Sequence, residues 1–228
     1  MKLVFSGSSV KQGNVTRFVF TPEQPVTWVP GQYVHYTLPH DNADDRGDER
    51  WFTISSAPFE KDIWITTRIT AERSSSFKQR LLDLTPGDVI ETDEPEGDFT
   101  IEDLSKDYVF VAGGIGITPL RSILNQLHHD GKEFRVELLY ANRDEASIAF
   151  KDELEAISNA HEGLNITYFT GANIDQAALE AAAAKCTDPT FYVSGPEPMV
   201  EAFKDTLEQM GIDDQHAKFD YFPGYEAA

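Results

Sequence analysis

The pattern of apolar residues changes period near residue 104, and that change constrains the fold more than any single motif. Before it, "KLVFSGSSV", "VTRFVF", "QYVHYTL", "RWFTIS", "IWITTRIT" and "DVIETDE" are short, rich in β-branched and aromatic residues, and punctuated by "KQGN", "TPEQP", "VPGQ", "TPGD" and "PEGD". Runs of that length and spacing predict a small antiparallel β-barrel. "SSSFKQRLLDL" interrupts them with a serine start and Phe77, Leu81 and Leu84 at helical spacing, which predicts a short helix closing one barrel end. After residue 104, the apolar runs "YVFVAG", "FRVELLY", "NITYFT", "FYVSG" and "HAKFDYF" alternate with amphipathic segments. That rhythm predicts a doubly wound α/β domain whose five-stranded parallel sheet is covered on both faces. The expected organisation is an antiparallel β-barrel over 1–103 followed by the α/β domain over 104–228.

The 228 residues suffice for two modest cores, and 40% hydrophobic with 25% charged content suits a soluble protein. One cysteine, Cys186, excludes an internal disulfide and any all-cysteine zinc or iron–sulfur site built from this chain alone. No apolar stretch reaches the roughly 20 residues of a membrane span, and the N-terminus lacks a signal-peptide core, so a cytoplasmic location is expected. A net charge of −20 makes nucleic acid and anionic membranes poor partners. The acidic stretch "HDNADDRGDE" reads as a solvated loop between two barrel strands. The six histidines show no metal-ligand spacing, and no metal site is expected.

Three stretches carry chemistry. In "VFVAGGIGITPL", a strand, a glycine turn and a helix start follow one another, an order that aims backbone N–H groups at an anion. Pro119 suits the first helical position, Thr118 suits the cap, and Gly113, Gly114 and Gly116 would admit a pyrophosphate close to the backbone. A plain tight turn is the alternative reading. In "RWFTISSAP", Arg50 offers a cation for a phosphate, Phe52 a cover for a flat ring, and Thr53 and Ser56 hydroxyls, with Trp51 between them. A surface arginine on a barrel strand is the alternative there. In "FYVSGPEPMV", a buried strand ends at Ser194-Gly195-Pro196 and a helix begins at once. With strand order 3-2-1-4-5, the ends after Gly116 and Ser194 are neighbours and form a ligand crevice.

These three stretches, in this order and on these elements, resemble the flavin-phosphate, pyridine-nucleotide and nicotinamide-loop motifs of the ferredoxin:NADP reductase family, over essentially the whole chain. The resemblance implies a barrel that binds FAD, in preference to FMN, and an α/β domain that receives NADH or NADPH. It puts Arg50 at the flavin phosphate, Thr53 near the flavin N5, and Phe52 in place of the usual tyrosine against the ring. It puts Arg68, Ser74, Ser75 and Ser76 at the FAD pyrophosphate, although Arg73 and Ser74 stand where a glycine is frequent. Ser194 replaces a frequent cysteine beside the nicotinamide. "FDYFPGYEAA" resembles the family's acidic-x-aromatic ending through Asp220 and Phe222, with Tyr225 as a second aromatic that could cover the flavin. "TGANID" lacks the serine–arginine pair that grips a 2′-phosphate and leaves Arg143 as the nearby cation, which favours NADH.

The implied activity is hydride transfer from NAD(P)H to FAD, with the protein orienting the reactants, and electrons leaving to a separate acceptor such as ferredoxin or flavodoxin. Two alternatives stand beside it: an NAD(P)H-dependent reductase of free flavin or ferric chelates, and a docked electron-transfer or regulatory subunit without its own catalysis. A monomer is expected.

Overall fold

The computed structural model describes residues 1–10, 13–70 and 74–222. Six strands form one antiparallel sheet: β1 (Lys2–Val10), β2 (Val15–Pro22), β3 (Tyr33–Thr37), β4 (Glu49–Thr53), β5 (Ile63–Arg68) and β6 (Val89–Thr92). Their order is β4-β3-β6-β1-β2-β5, so β4 and β5 are the open edges. The chain beyond β4 draws these edges together. Ser55 N donates to Trp64 O at 3.0 Å, and Trp64 N donates to Ser56 Oγ at 3.1 Å. Phe5, Phe18, Phe20, Tyr36, Ile63 and Ile65 fill the interior of this open barrel.

Helix α1 (Ser76–Leu82) closes one end, as its spacing predicts. The Ser75 hydroxyl accepts from Lys78 N at 3.3 Å and caps it. Phe77, Leu81 and Leu84 all join the barrel core.

The second sheet is parallel and runs β11 (Ala217–Phe222), β10 (Thr190–Pro196), β7 (Asp107–Gly113), β8 (Arg135–Asn142), β9 (Leu164–Thr170). Renumbered from β7, this is the expected order 3-2-1-4-5. Helices α2 (Ile117–His129), α3 (Lys151–Ala160), α4 (Gln176–Ala183) and α5 (Glu197–Gln209) connect the strands and cover both faces. One expectation fails in detail. "NITYFT" does not form a strand buried on both faces, because β9 is the sheet edge and most of its residues are half-buried or exposed. Among the described residues no helix is long and apolar enough to cross a membrane.

A buried ionic cluster ties the two sheets together. Arg121 of α2 is 2% exposed, pairs through both terminal nitrogens with Glu60 after β4, and reaches Glu153 of α3 at 2.6 Å. Its Nη1 also donates to Ser55 O at 3.0 Å, while Arg17 of β2 donates to the far side of Glu153 at 3.1 Å. Breaking one partner of such a cluster leaves an uncompensated buried charge, so the barrel edge and α2 are held in fixed relation.

Candidate functional site

The glycine turn after β7 has a different logic from the one its sequence suggests. Gly114–Gly116 form a single 3-10 turn, and α2 begins at Ile117 with Gly116 as its cap residue. Thr118 and Pro119 therefore lie inside the first turn of the helix, not at its cap and first position. The Thr118 hydroxyl turns inward and donates to Ile115 O at 3.1 Å, which removes it from the crevice. Gly114 has φ +55°, a left-handed conformation that suits glycine. Gly116 has φ −60°, open to any residue, but a Cβ there would lie 2.2 Å from Ser194 O and 2.7 Å from Gly195 Cα. Its hydrogen side chain serves backbone-to-backbone packing between the first and fourth strand ends of the parallel sheet. Gly113 and Gly195 likewise close on Met199, whose Sδ and Cε would lie 2.3 and 2.5 Å from their added Cβ atoms.

That packing builds the floor of the crevice. Ser194 is fully buried, pairs in register with Ala112 of β7 and Asp220 of β11, and donates its hydroxyl to Asp220 Oδ2 at 3.1 Å. Burial pushes the Asp220 carboxyl up to about 6, against the smaller opposing pull of the Ser194 hydroxyl. Tyr33, at the start of β3, pairs in register with Thr53, and its phenol is raised by burial and by the charges of Glu96, Asp220 and Asp98. Tyr33 on the barrel therefore lies within the electrostatic influence of Asp220 at the carboxyl end of the parallel sheet. Tyr33 is a residue the motifs did not single out; its signal is Gly97, where a Cβ would lie 2.9 Å from the Tyr33 ring. The backbone of Phe222 pairs with Pro196. The side chain of Phe222, with Arg73 and Tyr225, lies outside the described residues.

On the barrel, Arg50 and Phe52 share the face that meets α1. Phe52 packs half-buried against Phe77 and Tyr36 at centroid distances of 5.7 and 5.9 Å. The Arg50 guanidinium lies 5.6 Å from the Phe77 ring centre, and its Nη1 donates to the carbonyls of Arg46, Gly47 and Glu49. Its Nη2 donates to Asp44 Oδ1 at 2.7 Å, and Asp44 Oδ2 accepts from Ser76 N at 3.1 Å. The loop read as solvated therefore turns one carboxylate inward. Burial alone would raise the Asp44 carboxyl, but the N–H groups of Arg46 and Ser76 and the guanidinium groups of Arg50 and Arg46 hold it at about 2.

The remaining candidates scatter. Trp51 points to the opposite face, is 55% exposed and stacks on His35 at 4.3 Å. Ser56 is fully buried, and its hydroxyl accepts from Trp64 N in barrel closure. Ser74 accepts from Thr70 N at 2.8 Å, and Ser75 caps α1. Arg68 does not join the Arg50 group. It donates to Asn14 Oδ1 at 3.1 Å, Asn142 Oδ1 at 3.3 Å and Ser147 O at 2.9 Å, and its Nη2 would lie 3.4 Å from a Cβ on Gly114. Its charge sits over the glycine turn. Arg143 is exposed at the end of β8, 3.9 Å from the Asp144 carboxylate.

At the opposite, amino end of the sheet, a polar groove contains Asp107, Glu137, Lys185 and Cys186. Burial first, then the nearby carboxylates, push the Cys186 thiol up to about 11, so it is not a nucleophile at neutral pH. Among the described residues no cluster of three or more histidine, cysteine or acidic side chains could hold a metal ion.

Comparison with known proteins agrees with this geometry. Residues 110–205 match the family described as an oxidoreductase NAD-binding domain. The chain is 28% identical over 212 residues to the ferredoxin reductase component of 3-ketosteroid-9-alpha-monooxygenase from Mycobacterium tuberculosis, covering 90% of this chain and 58% of that protein. It is 30% identical over 198 residues to phenoxybenzoate dioxygenase subunit beta of Ectopseudomonas oleovorans, covering 86% and 58%. It therefore spans somewhat over half the length of these relatives. In fold it matches the flavohem-like FAD/NAD-binding domain of nitric oxide dioxygenase from Vibrio cholerae, with a TM-score of 0.81 at 21% identity over 97% of this chain and 98% of that one. With an open barrel, a parallel sheet of order 3-2-1-4-5 and a matched oxidoreductase NAD-binding stretch, the chain has a ferredoxin reductase-like fold and is similar in sequence to ferredoxin reductase components.

Proposed function

We propose that residues 1–103 hold FAD, that residues 104–228 receive NADH, and that the protein passes electrons from NADH to a separate one-electron acceptor protein such as a ferredoxin or flavodoxin. The observation that supports this reading is Arg68 of the barrel, whose guanidinium reaches Asn142 Oδ1 and Ser147 O beside Gly114, so that a barrel cation faces the glycine turn at the sheet's carboxyl end. Bound FAD supplies the chemistry, accepting a hydride equivalent from a dihydronicotinamide and releasing electrons singly. The residues present fit it: Arg50 keeps a buried Nε without a partner, and Phe52 offers a half-exposed ring beside it.

In this reading Arg50 and the Ser76 N–H hold phosphate, Phe52 packs against the ring system, and Thr53 orients its edge. Ser194 and Asp220 line the nicotinamide place, with Gly113, Gly114, Gly116, Gly195 and Pro196 shaping the crevice around them. Arg68, over the glycine turn, offers a cation to the nucleotide. The protein contributes position and exclusion of water, not acid–base chemistry. NADH is favoured because Asp144 beside Arg143 opposes a 2′-phosphate there.

The purified protein is expected to show flavin absorbance that NADH bleaches without oxygen, with reoxidation by an added ferredoxin or flavodoxin. Neither bound flavin nor flavin-dependent NADH oxidation would overturn it. One observation favours a second reading, a reductase of free flavin: the Asp44 carboxylate already seated on Arg50. A colourless protein that oxidises NADH only when flavin is added would decide for it.

A further inference from the structure

The Arg50 cradle already contains an anion of the chain's own making. Asp44 Oδ1 takes Arg50 Nη2 at 2.7 Å and Arg46 N at 3.0 Å, while Oδ2 takes Ser76 N at 3.1 Å and Arg46 Nη2 at 3.4 Å. The loop is latched a second time, since Asp44 N donates to Ser76 Oγ at 2.9 Å. The fit is nevertheless incomplete. Arg50 presents Nη2 and Nε on one edge of its guanidinium, an arrangement matched to the two oxygens of a forked phosphate contact. Asp44 uses Nη2 alone, and Nε stays buried with no partner. A buried N–H without an acceptor is costly, so the cradle has a donor that its resident carboxylate does not satisfy.

We propose that Asp44 is a built-in competitor for the flavin phosphate, occupying the Arg50–Ser76 cradle until a phosphate displaces it, so that the 40–48 loop sets how firmly flavin is retained. The proposal rests on the flavin reading above and adds the residue that tunes it. Displacement exchanges one anion for another on the same guanidinium, gives Nε an acceptor, and releases Asp44 to water, where the loop already exposes Asp41 and Asp45. The apparent flavin affinity is the intrinsic affinity reduced by the fraction of molecules whose cradle is open. Because Asp44 stays ionised down to about pH 2, this competition is constant over the physiological range.

The test is fluorescence titration of flavin-stripped wild type and Asp44→Asn with FAD, FMN and riboflavin. Asparagine keeps the size and the backbone N–H contact to Ser76 Oγ, but removes the charge and replaces one accepting oxygen by an N–H donor. FAD and FMN are expected to bind Asp44→Asn about tenfold more tightly, with riboflavin, which has no phosphate, changing less than twofold. The gain should vanish when Arg50→Ala is present as well, which a general loosening of the loop would not produce. Unchanged or weaker FAD binding in Asp44→Asn overturns the proposal, as does a riboflavin shift equal to that of FAD. Asp44→Ala repeats the test should the asparagine variant fail to fold. If no flavin binds either protein, the flavin reading itself falls, and this proposal with it.

Discussion

Asp44 and Asp220 are the same residue type at two ends of the proposed site, and their surroundings push them in opposite directions. Asp44 lies in a cradle of two guanidinium groups and two backbone N–H groups, which hold its carboxyl at about 2 despite burial. Asp220 lies on a sheet floor where a serine hydroxyl is its hydrogen-bond donor, and burial lifts it to about 6. The barrel end is thus built from charged side chains that prefer an anion. The crevice end is built from close backbone packing, with its acid held partly neutral. In the proposed reading the two ends have different tasks: one retains a phosphate, the other receives a neutral dihydronicotinamide and releases it as the nicotinamide cation.

The sharpest way to break the crevice end is Gly116→Ala. Its φ of −60° is acceptable to alanine, but the new Cβ would meet Ser194 O at 2.2 Å and Ser194 C at 2.5 Å, both backbone atoms that cannot rotate away. A destabilisation above about 4 kcal/mol is expected by urea unfolding. Gly114→Ala pays only for its left-handed φ and should cost about 1 kcal/mol. Equal costs would mean that the turn, not the strand contact, requires glycine at both places.

Breaking the cradle end should leave the fold intact and remove flavin. Arg50→Ala is expected to weaken FAD binding about 100-fold, roughly 3 kcal/mol, measured by fluorescence titration. Arg50→Lys should recover only part of this, because a point charge cannot make a forked contact. Full recovery by lysine would reduce the cradle to a simple positive charge.

The difference between the two ends also explains what the sequence could reveal. Both sheets, the capping helix and the order 3-2-1-4-5 follow from periodicity and the rules of parallel sheets, and Arg50 declares its chemistry by residue type. Gly116 does not declare its reason, because the atom it makes room for belongs to Ser194, far along the chain. Thr118 and Pro119 read as a cap and a first position because a 3-10 turn and a helix start look alike in sequence. The Arg121–Glu60–Glu153 cluster shows only as a charge inside the apolar run "TPLRSIL"; its partners come from two other elements. Asp44 was hidden by its neighbours, since one inward carboxylate in "HDNADDRGDE" has no signature of its own.

Asp220→Asn sharpens the comparison with the smallest effect. The folded carboxyl titrates near 6 against 3.8 for an unperturbed aspartate, so the folded state binds more protons than the unfolded state between those values. Its stabilising contribution is therefore complete below about pH 4 and is lost as pH rises through 6. Asparagine, neutral throughout, should be as stable as wild type at pH 4 and more stable by about 2 kcal/mol at pH 8, read from denaturant midpoints across that range. Asp44 carries the opposite sign: its contribution is present above 3.8 and is lost as pH falls towards 2. A wild-type minus Asp220→Asn difference that stays flat from pH 4 to 8 would show that the crevice floor is wet and its carboxylate ordinary. A slope confined to pH 4–6 would show that the crevice floor desolvates the Asp220 carboxylate, the opposite of what the guanidinium groups do to Asp44.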